Sequence, residues 1–525
     1  MIAKRPLTNL VLGLGRTGYS AARHLRAQGE TVVVADSRAQ PPFLARLRRR
    51  YPQIEVITGR LPAERYPEFD RIVVSPGLAP PAADAAPRRA GCAAPAVVGD
   101  IELFAQCLRE SAGAPVIAIT GSNGKSTVTT MVAALLEAAG RRCLSGGNLG
   151  PPALELLEAP RPDFYVLELS SFQLETTRRL RLAAAAILNL SADHFDRHPD
   201  MPSYAAAKAR ILRGAPAGAC VLNRDDPALA ELRAKHPEAV TFGLNPPPGA
   251  RDFGVVDTAD GRFLCHGEAR LVAANALSAP GAHNLANALA ALALAQCAGV
   301  EIAPAALDAL RAYRGLEHRC EVVADIDGVK WVNDSKATNV GATVAAIAGL
   351  CAGAPAAAGE TPAAAPGAPT AAGGLLLIAG GLGKGADFAL LRAPVGRHVS
   401  CVALFGEDAP RLAAALDGCA RIIRAADLRA AVAAVARAAQ PGQTALFSPA
   451  CASFDQFDDY QARGRAFKKL VAALADRPAG KATVTVAKTP AAKTPAATTE
   501  ATPAAAKTPA TEAATPAAAA PEPAS

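Results

Sequence analysis

Residues 116–127 read Val-Ile-Ala-Ile-Thr-Gly-Ser-Asn-Gly-Lys-Ser-Thr: an apolar run, a loop with two glycines, then the start of a helical pattern. A short run apolar on both faces reads as a buried parallel strand, and a strand that turns straight into a helix predicts an α/β architecture. Backbone amides of such a loop cradle phosphates; Lys125 would reach β and γ oxygens, and the Ser126 or Thr127 hydroxyl would bind Mg²⁺. The spacing departs from strict GxxxxGK[ST], because Ile119 stands at the first glycine position and Gly121 falls two places later. Even so, GKST between a strand and a helix predicts ATP binding.

The same unit recurs along the chain. Asn9-Leu10-Val11-Leu12, Thr31-Val32-Val33-Val34 and Arg71-Ile72-Val73-Val74 form one series of expected strands. Val116–Ile119, Tyr165–Leu167, Ala186–Leu188 and Ala219–Leu222 form a second, and Lys330–Val332, Leu375–Ile378, Val402–Phe405 and Ala445–Phe447 a third. With 525 residues the chain has room for three or four domains. The reading is three α/β domains in series: 1–98 Rossmann-like, 99–315 a central P-loop ATPase-like parallel sheet, and 316–476 Rossmann-like. Half the residues are hydrophobic but only 4% aromatic, so the cores must be built from many modest aliphatic side chains. Two stretches lack even those: an Ala/Pro/Gly insertion at 352–374 and an Ala/Thr/Pro/Lys tail at 477–525, both expected to be disordered.

Charge and cysteine usage exclude several classes. Fifty-five basic against 47 acidic residues leave a formal charge of +8, with no block of consecutive basic residues beyond Arg48-Arg49-Arg50. Nucleic-acid and membrane-surface binding gain no support from this. No apolar run is long enough to span a bilayer, so a cytoplasmic location is expected. The 11 cysteines are scattered from Cys92 to Cys451 without CxxC spacing, as small buried hydrophobes are. Cys451 beside Ser453 suggests a nucleophile only superficially, because no positioned histidine base can be identified.

Further motifs follow the strands. Gly13-Leu14-Gly15-Arg16-Thr17-Gly18 is a GxGxxG, with Asp36 about 20 residues later, a spacing compatible with NAD, with another nucleotide diphosphate, or with a tight turn alone. Glu168 ends a strand and opens Glu168-Leu169-Ser170-Ser171-Phe172-Gln173, and Asp193-His194-Phe195-Asp196-Arg197-His198 follows another. Lys208 falls on an expected helix, where pattern alone would make it a solvated lysine. The third domain offers Asn333-Asp334-Ser335-Lys336-Ala337-Thr338-Asn339, Gly380-Gly381-Leu382-Gly383-Lys384 and Ser448-Pro449-Ala450-Cys451-Ala452-Ser453-Phe454-Asp455-Gln456-Phe457.

In this order, and together with Gly147-Asn148-Leu149-Gly150 and His283-Asn284-Leu285-Ala286-Asn287, the motifs resemble the Mur ligases of peptidoglycan synthesis over about residues 7–470. ELSSFQL and SPACASFDQF point, within that family, to the member that joins D-glutamate to UDP-N-acetylmuramoyl-L-alanine; the DNPR motif of the diamino-acid-adding sister is absent. The resemblance implies an ATP-dependent amide ligase working through an acyl phosphate. Arg16, Thr17, Ser37, Arg38 and Gly77 would then surround the uridine diphosphate, with Asn148 against the muramoyl part. Gly121, Ser122, Asn123, Gly124, Lys125, Ser126, Thr127, Asn284, Asn287, Arg319 and Asp334 would hold ATP. Two Mg²⁺ ions would take Ser126, Thr127, Glu168, His194 and a carbamylated Lys208, and Lys336 would sit near the transferring phosphoryl group. D-Glutamate would meet Thr338, Lys384, Ser453 and Tyr460, with Leu382 in place of an acidic residue before the glycine-lysine pair. The third domain would close on a hinge near residue 315. A sister ligase, a folylpolyglutamate-synthetase-like enzyme, a Rossmann dehydrogenase and an ATP-dependent switch are the competing readings.

Overall fold

The computed structural model describes residues 6–81, 94–111, 113–194, 197–278, 281–351 and 374–475. The tail, all of the insertion except Gly374, Cys92, and Phe195 and Asp196 lie outside these described residues.

Three sheets follow one another along the chain. The first runs, edge to edge, Glu55–Thr58, Thr31–Asp36, Thr8–Leu12, Arg71–Val74 and Ala96–Val98, every pair parallel. The second has nine strands. Its parallel part is ordered Val240–Phe242, Cys220–Asn223, Ala184–Ile187, Val116–Thr120, Phe164–Glu168 and Cys143–Gly147. On the Val240–Phe242 side it is extended by an antiparallel meander, Phe253–Thr258, Gly261–His266 and Ala269–Ala273. The third runs Glu321–Ile326, Val329–Asn333, Thr444–Phe447, Leu375–Gly380, Val399–Phe405 and Arg421–Arg424, parallel except for its first pair.

The expected strands are the central ones. Val116–Thr120 is buried along its whole length, as are Phe164–Glu168 and Leu375–Gly380. Sequence reading missed the edges and the meander. Glu55–Thr58 and Arg421–Arg424 have no fully buried residue, and Cys143–Gly147 ends in Ser-Gly-Gly, so none carries a continuous apolar run. The alanine-rich composition is used where helices meet. Ala282–Cys297 packs on Lys125–Ala138, and its Ala288–Leu294 stretch is wholly inaccessible to solvent; small alanine side chains let leucines interlock there. Among the described residues no helix is long and apolar enough to cross a membrane.

The GxGxxG turn separates two roles for glycine. Gly13 has φ of 91°, and a Cβ on Gly18 would lie 1.8 Å from the Gly13 carbonyl oxygen, so the helix can start this close only without a side chain. Gly15 is extended, and a Cβ there meets nothing within 4 Å. Gly18→Ala should therefore cost about 1–3 kcal/mol and lower the urea midpoint, whereas Gly15→Ala should stay within about 0.5 kcal/mol of the parent. Equal effects of the two substitutions would contradict the packing described.

Candidate active site

Val116–Thr120 lies between Phe164–Glu168 on one side and Ala184–Ile187 on the other, so its C-terminal end opens at a change of strand order, where ligands of open α/β sheets bind. The loop leaves with Gly121 at φ 150° and Gly124 at 81°, and the helix Lys125–Ala138 begins at once. Asn189 braces the loop: its side chain accepts from the Asn123 amide at 2.8 Å and donates to the Asn123 carbonyl at 3.1 Å. Lys125 Nζ donates to the Gly121 and Ser122 carbonyls, both at 2.8 Å. The Ser126 hydroxyl donates to Glu168 at 2.5 Å and accepts from Arg319 Nη2 at 2.7 Å, which ties the loop to the start of the third domain. Asn148 Nδ2 donates to the other Glu168 oxygen at 2.6 Å.

These neighbours set the charge states. Burial pushes the Glu168 carboxyl up, but Lys125, Arg319 and the Ser126 and Asn148 hydrogen bonds outweigh it, and the group lies below its ordinary range. Lys208, which pattern alone assigned to a solvated face, is only 2% exposed. The helix Met201–Ala209 carries it under the phosphate loop, where Nζ donates to the Gly121 carbonyl at 2.9 Å and lies 4.6 Å from the Tyr204 ring centroid. Burial, and then Lys125, drive its pKa far below the usual lysine value. Tyr204 pairs in turn with Ser122 at 3.2 Å. His194 has φ of 58° and meets the Phe172 ring edge at 4.9 Å, with Nε2 3.7 Å from Asp193; burial lowers its pKa.

A cavity of about 670 Å³ opens between this loop and the third sheet. Asn123, Gly124, Thr127, Asn284, Asn287, Arg319, Asp334 and Lys336 line it, so most of the expected nucleotide residues share one wall or another. Gly121, Ser122, Lys125 and Ser126 stand behind it as the body of the loop. Sequence reading missed Asn189, Asn223 and Asp226, which also face it, and named His283, a further lining residue, only within a motif. Burial raises Asp334 to about 7 despite hydrogen bonds from Ser448 at 2.7 Å and from the Cys320 amide. Burial, with Arg319 and Lys125 nearby, lowers Lys336 to about 8.

The other two expected groups flank this centre. Arg16 reaches from the first domain to the Gly150 carbonyl at 3.2 Å, beside the loop that carries Asn148. Arg38 is fixed by two side-chain bonds to Asp36, at 2.9 and 2.7 Å, and Asp36 also accepts from the Leu14 amide at 2.7 Å. Asp36 is thus committed within the protein, held at about 2 mainly by Arg38, which removes the support its spacing gave to an NAD site. Thr17 is half-buried, and Ser37 and Gly77 are exposed on the same side of the sheet's loops. In the third domain, Lys336 Nζ lies 4.4 Å from the Tyr460 ring centroid, and Lys384, at φ 49°, lies 5.7 Å from that of Phe454. Ser453 is buried, Thr338 half-buried, and the Leu382 main chain pairs with Ala452, which fixes the turn before Lys384.

Arg463 was not foreseen. It is fully buried and spends its guanidinium on the Ser335 carbonyl at 2.8 Å, the Ser335 hydroxyl at 3.1 Å and the Cys451 carbonyl at 3.0 Å, locking together the loops that carry Lys336 and Ser453. Nothing in a helix reading Gln-Ala-Arg-Gly-Arg distinguishes it from the solvated arginines around it.

Residues 8–92 match the family description "Mur ligase MurD-like, N-terminal domain", 119–295 "Mur ligase middle domain" and 318–451 "Mur ligase, glutamate ligase domain". The chain is 48% identical, over 467 residues, to the UDP-N-acetylmuramoylalanine--D-glutamate ligase of Nitrosococcus oceani, covering 88% of this chain and 96% of the relative. It is 47% identical over 466 residues to the protein of the same name from Methylobacillus flagellatus, with the same coverages of 88% and 96%. Among solved structures it is similar in fold to MurF from Acinetobacter baumannii (TM-score 0.54, 17% identity, 90% of each chain) and to MurC from Thermotoga maritima (TM-score 0.53, 17% identity, 89% of this chain and 100% of that one). With segments of all three sheets matched and relatives this similar along nearly their whole length, the chain belongs to the Mur ligase family.

Proposed function

We propose that this chain is the ATP-dependent ligase that joins D-glutamate to UDP-N-acetylmuramoyl-L-alanine, a cytoplasmic step of peptidoglycan synthesis. The observation that carries the reading is that Asn123, Gly124 and Thr127 of the central phosphate loop share one cavity with Arg319 and Lys336 of the third domain, while Ser126 of the same loop joins Glu168 to Arg319 directly. It is supported by relatives of that name at 48% and 47% identity.

A carboxylate is a poor acyl donor, so the γ-phosphoryl group of ATP would first move to the L-alanine carboxylate to give an acyl phosphate. In-line transfer needs the charge on the phosphoryl oxygens neutralised and water kept away. Lys125, Arg319 and Lys336 supply positive charge, and the loop amides supply donors. The D-glutamate amine would then attack the acyl carbon and expel phosphate, its carboxylates held by Lys384, Ser453 and Thr338, with Tyr460 fixing Lys336. Arg16, Thr17, Ser37, Arg38 and Gly77 would bind the uridine diphosphate and Asn148 the muramoyl part. The oxygen donors suit Mg²⁺, a hard cation that takes oxygen ligands: the Glu168 carboxylate and Ser126 hydroxyl are 2.5 Å apart, and Thr127 follows Ser126 in the chain. When bound, Mg²⁺ would neutralise phosphate charge; we assign two ions to Ser126, Thr127, Glu168, His194 and a modified Lys208.

Lys208 fits carbamylation. The neutral form of the buried Lys208 amine, favoured by burial and by the nearby Lys125 charge, attacks the carbon of CO₂ and releases one proton, and the resulting carbamate is an anion able to hold metal. A hinge near residue 315 would let the third domain close, and Gly315, at φ 90°, supplies the backbone freedom.

Purified protein given ATP, Mg²⁺ and UDP-N-acetylmuramoyl-L-alanine should release phosphate and form an amide of the expected mass with D-glutamate and not with L-glutamate; product with another amino acid would redirect the assignment to a sister ligase. Lys125→Ala should lower turnover by a factor on the order of 10³, read in the same assay. Lys208→Ala should lose activity and regain part of it with added short-chain carboxylates, and an absence of rescue would remove the carbamate from the reading. Lys336 is a cation below about 8, so ATP affinity should weaken as pH rises through that value, and Lys336→Met should bind ATP weakly and keep only the fall near pH 7 that Asp334 contributes as it ionises.

A further inference from the structure

A second basic concavity shares no residue with the nucleotide cavity. It has a volume of about 460 Å³ and lies where the helices Arg16–Ala27 and Leu44–Arg50 of the first domain approach Glu158 of the central one. Four arginines line it: Arg23 from one helix, and Arg46, Arg49 and Arg50 from the other. Glu158 is the one carboxylate in the lining, and it pairs with Arg23. Among the described residues no carboxylate lies within ion-pair distance of Arg46, Arg49 or Arg50. Arg23 Nε is inaccessible to solvent and has no hydrogen-bond partner.

Two aromatic rings hold the site in shape. Arg46 lies over Tyr19 at 5.1 Å from the ring centroid, Arg50 over Tyr51 at 5.5 Å, and Tyr19 is itself stacked on Phe43 at 5.4 Å. A guanidinium laid on a ring has less rotamer freedom left to lose on binding, and its planar edge remains able to donate a fork of hydrogen bonds. Basic residues in the last turn of a helix also offset its terminal partial charge, which accounts for Arg49 and Arg50. It does not account for Arg23, which comes from a different helix.

We propose that this concavity binds a small oligophosphate, two or three linked phosphoryl groups, at a position separate from the ATP and uridine-diphosphate sites. Phosphate is the anion whose geometry matches several guanidinium forks at once, and a lining with four cations and one carboxylate favours more than one negative charge. The volume of this open concavity suits a small molecule. Glu158 competes with the ligand for Arg23, so its removal strengthens binding.

The test is calorimetric titration of inorganic tripolyphosphate, pre-equilibrated to the same free Mg²⁺ as the cell, into the full-length protein with its catalytic sites saturated by a non-hydrolysable ATP analogue, Mg²⁺ and UDP. One site per chain is expected to remain. Arg46→Ser with Arg49→Ser, both exposed, should weaken it by roughly a hundredfold and leave binding of the ATP analogue unchanged, whereas Glu158→Gln should tighten it severalfold. A parallel arm measures co-sedimentation with phosphatidylglycerol vesicles. No residual tripolyphosphate site, a site indifferent to both variants, or arginine-dependent binding to vesicles alone would each overturn the proposal.

Discussion

One hydroxyl joins the parts of the centre. Ser126 Oγ donates to a carboxylate at the end of one strand and accepts from an arginine nearly two hundred residues further along the chain. Without the cations around it, burial would favour a neutral Glu168; with Lys125 and Arg319 beside it the carboxylate stays charged. The reverse also holds: Lys125, Lys208 and Lys336 share a small volume, and Glu168 is among the few groups that offset their mutual repulsion. The centre has more positive than negative charge, a state that phosphate-bearing ligands relieve.

Several contacts hold the third domain against the central one around this charge cluster. Asn339 donates to Asp193 at 3.0 Å, and His283 packs into a notch at Gly349, where a Cβ would come within 2.3 Å of its Nδ1. Burial lowers His283 to about 4, so this fit uses the neutral ring. His283 lines the nucleotide cavity and Asn339 falls between Ala337 and Gly341, which also line it, so holding the domains and enclosing the ligand draw on the same segments.

Legibility in the sequence followed continuity of signal. Strands buried on both faces write uninterrupted apolar runs, and Val116–Thr120 and Leu375–Gly380 were readable for that reason. Edge strands such as Glu55–Thr58 write half a pattern, and the antiparallel strands from Phe253 to Ala273 bury runs of three residues at most, too short to separate from loop. Loop residues such as Lys125 stood out because glycines and hydroxyls crowd around them. Lys208 did not: its burial comes from the loop folding over it, a contact between residues far apart in sequence. Asp36 shows the opposite case, a familiar spacing whose carboxylate is already occupied by Arg38 and Leu14.

Arg463 has a consequence for how this chain can change. Of its three anchoring bonds, two end on main-chain carbonyls, those of Ser335 and Cys451. A carbonyl is present whatever side chain stands there, so substitution at 451 leaves the arginine's bond in place as long as the loop keeps its path. Variation at 451 and constancy at 463 are therefore compatible within one lineage, and a position that looks permissive in isolation is still held in space by a distant residue that is not.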